Sequence, residues 1–388
     1  MNVMLKKTLM QHKGVWDVFR ENGYKAYFVG GCVRDALLGR TAKDIDIATD
    51  AKPEDVKNLF KNNYDTGLKF GSITVSYDDY YYDITTFRME SGYSNLRHPD
   101  SLDYTNDIKL DLKRRDFSVN AMAFCFEEGH IDLFNGVTDL NKKVIKAVGD
   151  PNTRFKEDAL RMMRAIRFAC ELGFIIDSET LKAIEKNSHG IKFISKERVY
   201  AEFTKAVSSI YPEKLIYLRQ SGLGRKIHPL FKTFDYHNIP RDQDLILRLA
   251  YMMKRKESAI NVLEFLKADK FTIYNVLQVL EGRVKIAENS KYCIRKLIAN
   301  IGIANAKRVL ILKGYNISLY LDIIRDKDCT SLADMALDGT DLITTDVVKE
   351  GIDVRHILNR LLDEVMKDPS KNRFEILLPL ARQIKKEL

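Results

Sequence analysis

Cysteine and histidine are scarce in this sequence, and neither forms a recognisable metal or redox motif. The five cysteines are scattered and contain no Cys-x-x-Cys pair, a pattern typical of reduced thiols rather than of a disulfide framework or a zinc site. The seven histidines never form a His-Glu-x-x-His motif. These absences argue against a disulfide-stapled secreted domain and against a histidine-based metal hydrolase.

Long apolar segments are missing as well. No run of about 18 or more apolar residues occurs, so the sequence predicts no membrane-spanning helix. Residues 1–13 mix lysine with single apolar residues and lack the apolar core of a signal peptide. Glycine and proline are too sparse for a long flexible linker. We therefore expect a cytoplasmic protein without a membrane partner.

The chain is long enough, and apolar enough, for more than one packed domain. It has 388 residues, of which 45% are hydrophobic. Its formal net charge of +9 suits a polyanionic partner such as RNA, although excess lysine often only solvates a surface. Charge alone therefore leaves nucleic-acid binding open.

The secondary-structure pattern changes near Asp150-Pro151. Before this point short period-2 strands alternate with short helices, and after it long helical patterns dominate. The sequence therefore predicts an α+β fold in which a mixed α/β head is followed by an all-helical remainder. We predict a head, a neck, a body and a tail over residues 1–149, 150–208, 209–300 and 301–388.

Two carboxylates stand two residues apart in a predicted strand, at Asp44 and Asp46. Side chains with this spacing point to the same face, where they repel each other unless a cation lies between them. Mg²⁺ suits such a pair, because it binds one or two carboxylates together with substrate phosphates. The pattern indicates two-metal phosphoryl transfer. A solvated edge strand is the alternative, since Asp-x-Asp is a common sequence.

A glycine pair, Gly30-Gly31, lies upstream between a predicted strand and a predicted helix. Backbone N–H groups at such a turn can approach a phosphate, and a helix N-terminus favours an anion. Arg34 adds a guanidinium fork for triphosphate oxygens. Each feature alone also fits an ordinary turn, but the glycine pair, Arg34 and the Asp44/Asp46 pair together are far more specific.

Four motifs, in order, resemble the tRNA CCA-adding and poly(A) polymerase branch of the nucleotidyltransferase superfamily, in its bacterial and eukaryotic class. They are YFVGGCVRD with KDIDI, DITTFR, RRDFSVNA and EDALRMMR, at residues 27–35 with 43–47, 83–88, 114–121 and 157–164. The resemblance implies a polymerase beta-like head that adds C, C and A to the 3′ end of tRNA. It also implies CTP and ATP as substrates, Mg²⁺ as cofactor, a tail that binds tRNA, and no protein partner.

Two of these motifs carry further candidate residues. Asp83 stands where the family has a third catalytic carboxylate, often Glu, and the shorter Asp would reach a metal only through water. Asp116 would accept a hydrogen bond from a ribose 2′-hydroxyl, and Arg115 would bind phosphate or ribose. A structural ion pair is the alternative for Arg115 and Asp116.

The fourth motif suggests how a base is selected without a template. A helix predicted over residues 156–172 carries four charged residues at three-residue steps, along a stripe of about 13 Å. A carboxylate only accepts and a guanidinium only donates hydrogen bonds, so an Asp–Arg pair accepts cytosine and adenine but rejects uracil and guanine. We expect the first two residues to read the base and the last two to lie nearer phosphate or RNA; the four are Asp158, Arg161, Arg164 and Arg167.

Three alternatives share the motifs. A poly(A) polymerase is disfavoured by the short chain, by the lack of a long basic C-terminal extension and by the intact segment 89–113, which resembles the loop needed for the final A. An enzyme that adds only CC or only A stays open. A catalytically silent tRNA-binding protein would have been free to lose Asp44 and Asp46.

Overall fold

The computed structural model describes residues 2–42, 44–67, 71–91, 101–349 and 351–388. They form two compact units, Met1–Gln243 and Asp244–Leu388. The mixed α/β head and the helical remainder predicted from the sequence are confirmed. The finer four-part division stays a prediction. Within the described residues, no helix is both long and apolar enough to span a membrane.

A seven-stranded sheet organises the head, in the order β3-β4-β5-β2-β1-β8-β9. Strands β2 and β5 are parallel, and the other neighbours are antiparallel. The strands are β1 Ala26–Val29, β2 Ile45–Thr49, β3 Asn63–Gly67, β4 Ser72–Tyr77, β5 Tyr80–Thr86, β6 Arg88–Ser91, β7 Ser101–Tyr104, β8 Met122–Cys125, β9 Gly129–Asp132, β10 Val144–Ile145 and β11 Ile175–Ile176. The remaining four form two small ladders, β6 with β7 and β10 with β11.

Local sequence explains the hairpin that brings β4 beside β5. Asp78 and Asp79 adopt φ values of 46° and 62°, the left-handed conformation of a two-residue turn that Asp tolerates better than most residues. Apolar side chains alternate along the strands, so that Ile73 and Val75 of β4 and Ile84 of β5 are buried on one face. The opposite face of these strands is left to polar residues. β4 and β5 therefore form a β-hairpin.

Twelve helices belong to the first unit, among the residues that the structure describes. They are α1 Asn2–Leu9, α2 Lys13–Glu21, α3 Gly31–Leu37, α4 Pro53–Leu59, α5 Ile108–Lys113, α6 Gly136–Lys142, α7 Pro151–Glu157, α8 Leu160–Leu172, α9 Ser178–Asn187, α10 Lys196–Val207, α11 Tyr217–Gln220 and α12 Leu223–Ile227. Helices α1 and α2 pack their apolar sides onto the head core, and α3 leads directly out of the sheet.

One predicted helix is wrong in its continuity. The segment expected to form a single helix over residues 156–172 is divided into α7 and α8. Asp158 lies at the division, with an extended backbone (φ −139°, ψ 107°), and its Oδ1 accepts from the N–H of Leu160 at 2.9 Å. An Asp side chain that bonds a backbone N–H two residues on competes with helix formation. Asp158 therefore does not share a helical stripe with the three arginines.

The second unit is entirely helical in its described part. Its helices are α13 Leu245–Met253, α14 Lys256–Phe265, α15 Lys270–Lys285, α16 Lys291–Ile301, α17 Ile303–Lys313, α18 Ser318–Arg325, α19 Gly339–Thr344, α20 Ile352–Lys367 and α21 Phe374–Lys386. Arg295 of α16 is buried, where it donates to Asp328 at 2.7 Å and to the carbonyl of Met366 at 2.8 Å. Paired in this way, Arg295 stabilises the unit rather than serving as a free surface charge.

Candidate active site

Three carboxylates come together on adjacent parallel strands. Asp46 of β2 lies opposite Asp83 of β5, and Asp44 directly precedes β2. Paired residues on neighbouring strands, and residues two apart along one strand, point to the same face of a sheet. Asp44 and Asp83 are exposed and Asp46 is half-buried. Asp83 is oriented by the hydroxyl of Thr74, which donates to its Oδ1 at 2.6 Å.

The electrostatics at Asp46 favour a bound cation. Burial raises the pKa of the Asp46 carboxyl, Arg115 opposes this effect, and Asp83 and Asp44 add to it. An all-oxygen donor set fits a hard divalent cation. Nowhere in the described ranges do three or more Asp, Glu, His or Cys side chains already converge on one metal position. Asp44 and Asp46 are therefore the pair suited to hold a metal, with Asp83 beside them.

The turn at Gly30 leaves room for the guanidinium of Arg115 beside this carboxylate cluster. Gly30 has φ 72° and ψ −127°, and a Cβ built on it would lie 3.0 Å from Nη1 of Arg115 and 3.5 Å from Oδ2 of Asp46. A Cβ on Gly31 would meet only Nη2 of Arg34, at 3.6 Å. The requirement for glycine thus falls on Gly30, which the prediction had not separated from Gly31.

Arg34, predicted as a free fork for triphosphate oxygens, is largely engaged within the protein. It is buried; its Nε and Nη2 donate to Asp35 at 2.9 and 3.0 Å, and its Nη1 donates to Oδ1 of Asn120 at 2.7 Å. Its guanidinium also lies 5.4 Å from the ring centroid of Phe168. Arg34 therefore holds α3 against the 3₁₀ turn Ser118–Asn120.

Arg115 is the better candidate for an anion contact. Its Nη2 donates to Asp111 at 3.2 Å, while its Nε is buried with no hydrogen-bond partner among the residues that the structure describes. Burial alone would raise the pKa of Asp111, but Arg114 and Arg115 outweigh it and hold the pKa below its ordinary value. Asp111 thus anchors two guanidinium groups, and that of Arg115 lies close enough to Asp46 to oppose the rise in its pKa.

Asp116 joins the segment before β8 to helix α8. Its Oδ2 accepts from Nε and Nη2 of Arg164, at 2.7 and 2.6 Å, and its Oδ1 accepts from the N–H of Phe117 and from Asn120. Burial would raise the pKa of Asp116, but Arg164 and Arg161 outweigh it and lower the pKa to about 2. A ribose hydroxyl would have to share this carboxylate with Arg164.

Asp158 and Arg161, predicted as a base-reading pair, are positioned by separate partners. Oδ2 of Asp158 accepts from Nη2 of Arg198 at 3.1 Å. Arg161 forms an ion pair with Glu157 and donates to the backbone carbonyl of Arg114 at 2.8 Å. The N–H of Arg161 donates to the backbone carbonyl of Asp158 at 3.0 Å, but no hydrogen bond or ion pair joins the two side chains in the part of the chain that is described. Each side chain is held in place by its own neighbours.

Arg161 nevertheless keeps donor capacity. A guanidinium has five N–H donors. Its Nη1 donates to Glu157 and, at 3.3 Å, to the carbonyl of Arg154, and one Nη2 donor is used by Arg114. The Nε donor and the second Nη2 donor have no partner among the described residues. Two neighbouring donors are what the paired acceptors of a cytosine edge require.

Arg167 has a structural environment. Its Nε donates to Glu202 at 2.6 Å and its Nη1 to Glu171 at 2.8 Å, and its guanidinium lies 4.1 Å from the ring centroid of Phe168. Only 11% of the side chain is exposed. These contacts join α8 to α10, so a direct phosphate contact would have to displace them.

The sequence interpretation missed several residues that organise the site. Asn120 and Glu157 stand inside quoted motifs, so their positions gave a signal that was not used. Asp111 precedes the Arg114-Arg115 pair, where a carboxylate at i−3 and i−4 on a helix could have been noticed. Nothing in the local sequence marks Arg198, which comes from another helix.

Two family models match the first unit. Residues 26–146 match the poly A polymerase head domain, and residues 173–234 match the probable RNA and SrmB- binding site of polymerase A.

Curated relatives extend the similarity over nearly the whole chain. The chain is 35% identical to a CCA-adding enzyme of Pediococcus pentosaceus over 97% of its own length and 98% of the relative's. It is also 35% identical to a CCA-adding enzyme of Ligilactobacillus salivarius, over 96% of both chains. A solved CCA-adding enzyme of Bacillus stearothermophilus, in complex with CTP, superposes with a TM-score of 0.80 at 26% identity, covering 98% of this chain and 99% of the other.

The Asp116–Arg164 pair generates a stability prediction. Asp116→Ala should lower the free energy of unfolding by about 2–4 kcal/mol at neutral pH, below the top of the range for buried pairs because 35% of the Arg164 side chain is exposed. The folded pKa of Asp116 is depressed to about 2, so the contribution is present above its unfolded value and is lost as the pH falls toward about 2. Urea unfolding at several pH values measures both the loss of unfolding free energy and its dependence on pH.

The matched control is Glu179→Ala, which removes an ion pair to Lys182 whose side chains are 72% and 74% exposed. That variant should change stability by less than about 1 kcal/mol. A loss for Asp116→Ala no larger than the control's, or one independent of pH, would contradict the assignment of Asp116 as the structural partner of Arg164 in α8.

Proposed function

Because the chain belongs to the family of CCA-adding enzymes, we propose that it adds C, C and A, in that order, to the 3′ end of tRNA. It uses CTP and ATP and releases pyrophosphate. The observation that carries the proposal is the similarity to curated CCA-adding enzymes along almost the whole chain, at a site that retains Asp44 and Asp46.

The metal in this proposal is Mg²⁺, held by Asp44 and Asp46, with Asp83 acting from beside them through water. Two carboxylates plus substrate phosphate oxygens are the usual protein environment of Mg²⁺. Two bound Mg²⁺ ions would favour deprotonation of the attacking 3′-hydroxyl and neutralise negative charge on the leaving pyrophosphate. The raised pKa of Asp46 supports this assignment, because burial and the two neighbouring carboxylates outweigh the effect of Arg115 and Arg164 on this carboxyl.

The nucleotide lies on the other side of Asp46, over the turn at Gly30-Gly31. Arg115, whose Nη1 lies beside the turn at Gly30, offers its guanidinium to the phosphates, and Gly31 offers its backbone N–H at the start of α3. Arg34 and Arg167 act as positioning residues, since their guanidinium groups are engaged within the protein. The family resemblance assigns both arginines to nucleotide binding. In this proposal they support that binding only by positioning other groups.

Asp116 and Arg164 close the ribose side of the nucleotide site. Arg164 neutralises Asp116 and fixes the orientation of its carboxylate. A ribose 2′-hydroxyl can still donate to a carboxylate that has spare lone pairs, so we keep Asp116 as the proposed ribose acceptor.

The base is read by Asp158 and Arg161. Arg161 supplies its two unpartnered donors to N3 and O2 of cytosine, or one of them to N1 of adenine. Asp158 accepts from the exocyclic amino group after giving up part of its contact with Arg198, which is 3.1 Å long. Uracil and guanine present a carbonyl to the carboxylate and a ring N–H to the guanidinium, so both are rejected.

The helical regions are proposed to hold the tRNA along its acceptor arm. We propose that residues 150–208 form the neck that carries the base-reading residues, residues 209–300 the body, and residues 301–388 the tail that binds tRNA. Part of the segment proposed for the final A is the β6–β7 hairpin, in which Arg88 pairs with Tyr104. Residues 92–100 of that segment lie outside the described residues.

The order of addition distinguishes the proposal from its alternatives. Given CTP, ATP, Mg²⁺ and a tRNA that lacks its 3′ CCA, the protein should add three nucleotides and stop, because the third leaves no room for another nucleotide at the metal. A gel at single-nucleotide resolution measures this. A long ladder with ATP alone would indicate a poly(A) polymerase, and a stop after two additions a CC-adding enzyme. Activity only on tRNA ending in CC would indicate an A-adding enzyme.

Loss of a metal ligand should stop chemistry and leave RNA binding intact. Asp46→Asn and Asp44→Asn should each lower the incorporation of CTP and ATP by at least roughly a hundredfold. The control is Asp79→Asn in the β4–β5 turn, where Asn tolerates the observed φ of 62°. Incorporation rates and tRNA affinity are measured together. Near-normal turnover of Asp46→Asn in Mg²⁺ would refute the metal assignment.

Arg161→Ala should relax base selection. We expect a loss of discrimination of roughly 1–3 kcal/mol, seen as a rise in UTP or GTP misincorporation relative to CTP. Arg167→Ala is the matched control, because both side chains are 11% exposed, lie on α8 and pair with a glutamate. Arg167→Ala should slow all four nucleotides without changing their ratios. If Arg161→Ala behaved in the same way, Arg161 would be a structural residue.

A further inference from the structure

A row of side chains crosses four neighbouring strands on the face of the sheet that carries the carboxylates. The backbone register pairs Tyr64 with Thr74, Thr74 with Asp83, and Asp83 with Asp46. Residues paired in this way point to one face, so Tyr64 lies on the same face as the carboxylates. Tyr81 stands two residues before Asp83 in β5 and faces the same way.

Tyr64 and Tyr81, here called the tyrosine pair, form an exposed aromatic surface. Their ring centroids are 6.3 Å apart with the planes inclined at 46°. Tyr64 is 51% exposed and Tyr81 is 65% exposed. On the opposite face of β5, Tyr80 and Tyr82 pack against His12. β5 thus packs against the rest of the head through the face that carries Tyr80 and Tyr82. The tyrosine pair on the other face is exposed, so a ligand can contact it.

The strand order separates the two reactants. The turn at Gly30 follows β1 and Arg115 precedes β8, so the groups proposed for the nucleotide lie on the β1–β8 side of Asp46. The tyrosine pair lies on the β5–β3 side. In phosphoryl transfer the attacking and leaving oxygens are roughly in line, on opposite sides of the phosphorus. With the nucleotide on one side, the attacking RNA end must come from the other.

We propose that the tyrosine pair stacks on the last bases of the tRNA and directs its 3′-hydroxyl toward Asp83 and Asp46; this inference rests on the proposed function. Strand spacing places Tyr81 about 8 Å and Tyr64 about 14 Å from Asp46, the range of the terminal bases rather than of the hydroxyl itself. Every base has a π-face, so stacking tolerates any sequence. Such tolerance suits an RNA end whose last base changes at each addition.

The test uses a tRNA acceptor-stem minihelix that ends before CCA and carries 2-aminopurine as its 3′-terminal base. The fluorescence of 2-aminopurine falls on stacking, so contact with the tyrosine pair is measured without nucleotides or catalysis. Tyr64→Leu and Tyr81→Leu remove the ring, and Tyr64→Phe and Tyr81→Phe keep it. Leu133→Ala, a 45% exposed residue just after β9, is the control at the opposite edge of the sheet.

Wild type, both Phe variants and Leu133→Ala should quench the probe, and the two Leu variants should not. In steady-state assays the Leu variants should raise the KM for tRNA roughly five- to a hundredfold, with the KM for CTP unchanged. Equal quenching by the Leu variants, RNA binding by wild type without quenching, or a rise only in the KM for CTP would each overturn the inference. Quenching by a wild type that incorporates no nucleotide would refute the proposed function and leave the tyrosine pair as an RNA contact.

Discussion

The half-buried carboxylate of Asp46 is the constraint around which the head is arranged. Burial and the neighbouring Asp44 and Asp83 all raise its pKa, and Arg115 is the first group that opposes them. Gly30 leaves room for the guanidinium of Arg115 at this point, since a Cβ there would lie 3.0 Å from Nη1. The β2–β5 strand pair, the turn at Gly30 and the guanidinium of Arg115 are thus all arranged around the charge of Asp46.

A second layer of arginines holds that arrangement in place. Asp111 anchors Arg115, Asn120 accepts a hydrogen bond from Arg34, and Arg164 of α8 neutralises Asp116. Guanidinium groups suit this role because their planar fork matches a carboxylate in two places at once. The positive charge of this region therefore serves both substrate and structure, and only groups with unsatisfied donors can meet a phosphate directly.

Much of the site was predictable because its residues are close in the chain. Asp44 and Asp46 share a face by strand alternation alone, and the Asp78-Asp79 turn accounts for the return of β5 beside β4. The parallel pairing of β5 with β2, which places Asp83 opposite Asp46, joins distant segments and was implied only by the family resemblance. The continuous helix through Asp158 was wrong, because periodicity ignores a side chain that bonds its own backbone. Arg198 could not be found at all, because its contact with Asp158 joins residues 40 apart in the chain.

The sequence by itself determined which chemical groups stand at short spacing: carboxylates that could hold a metal, a glycine turn that a phosphate could approach, and acceptor and donor types that could read a base. These properties depend on residues a few positions apart in the chain, and the local backbone fixes the relative directions of their side chains. Only the tertiary structure decided which charges are available, because burial and ion pairing depend on neighbours from distant segments. It engaged Arg34 and Arg167 within the protein, left Arg115 and Arg161 with free donors, and aligned Tyr64 with Asp46 across four strands.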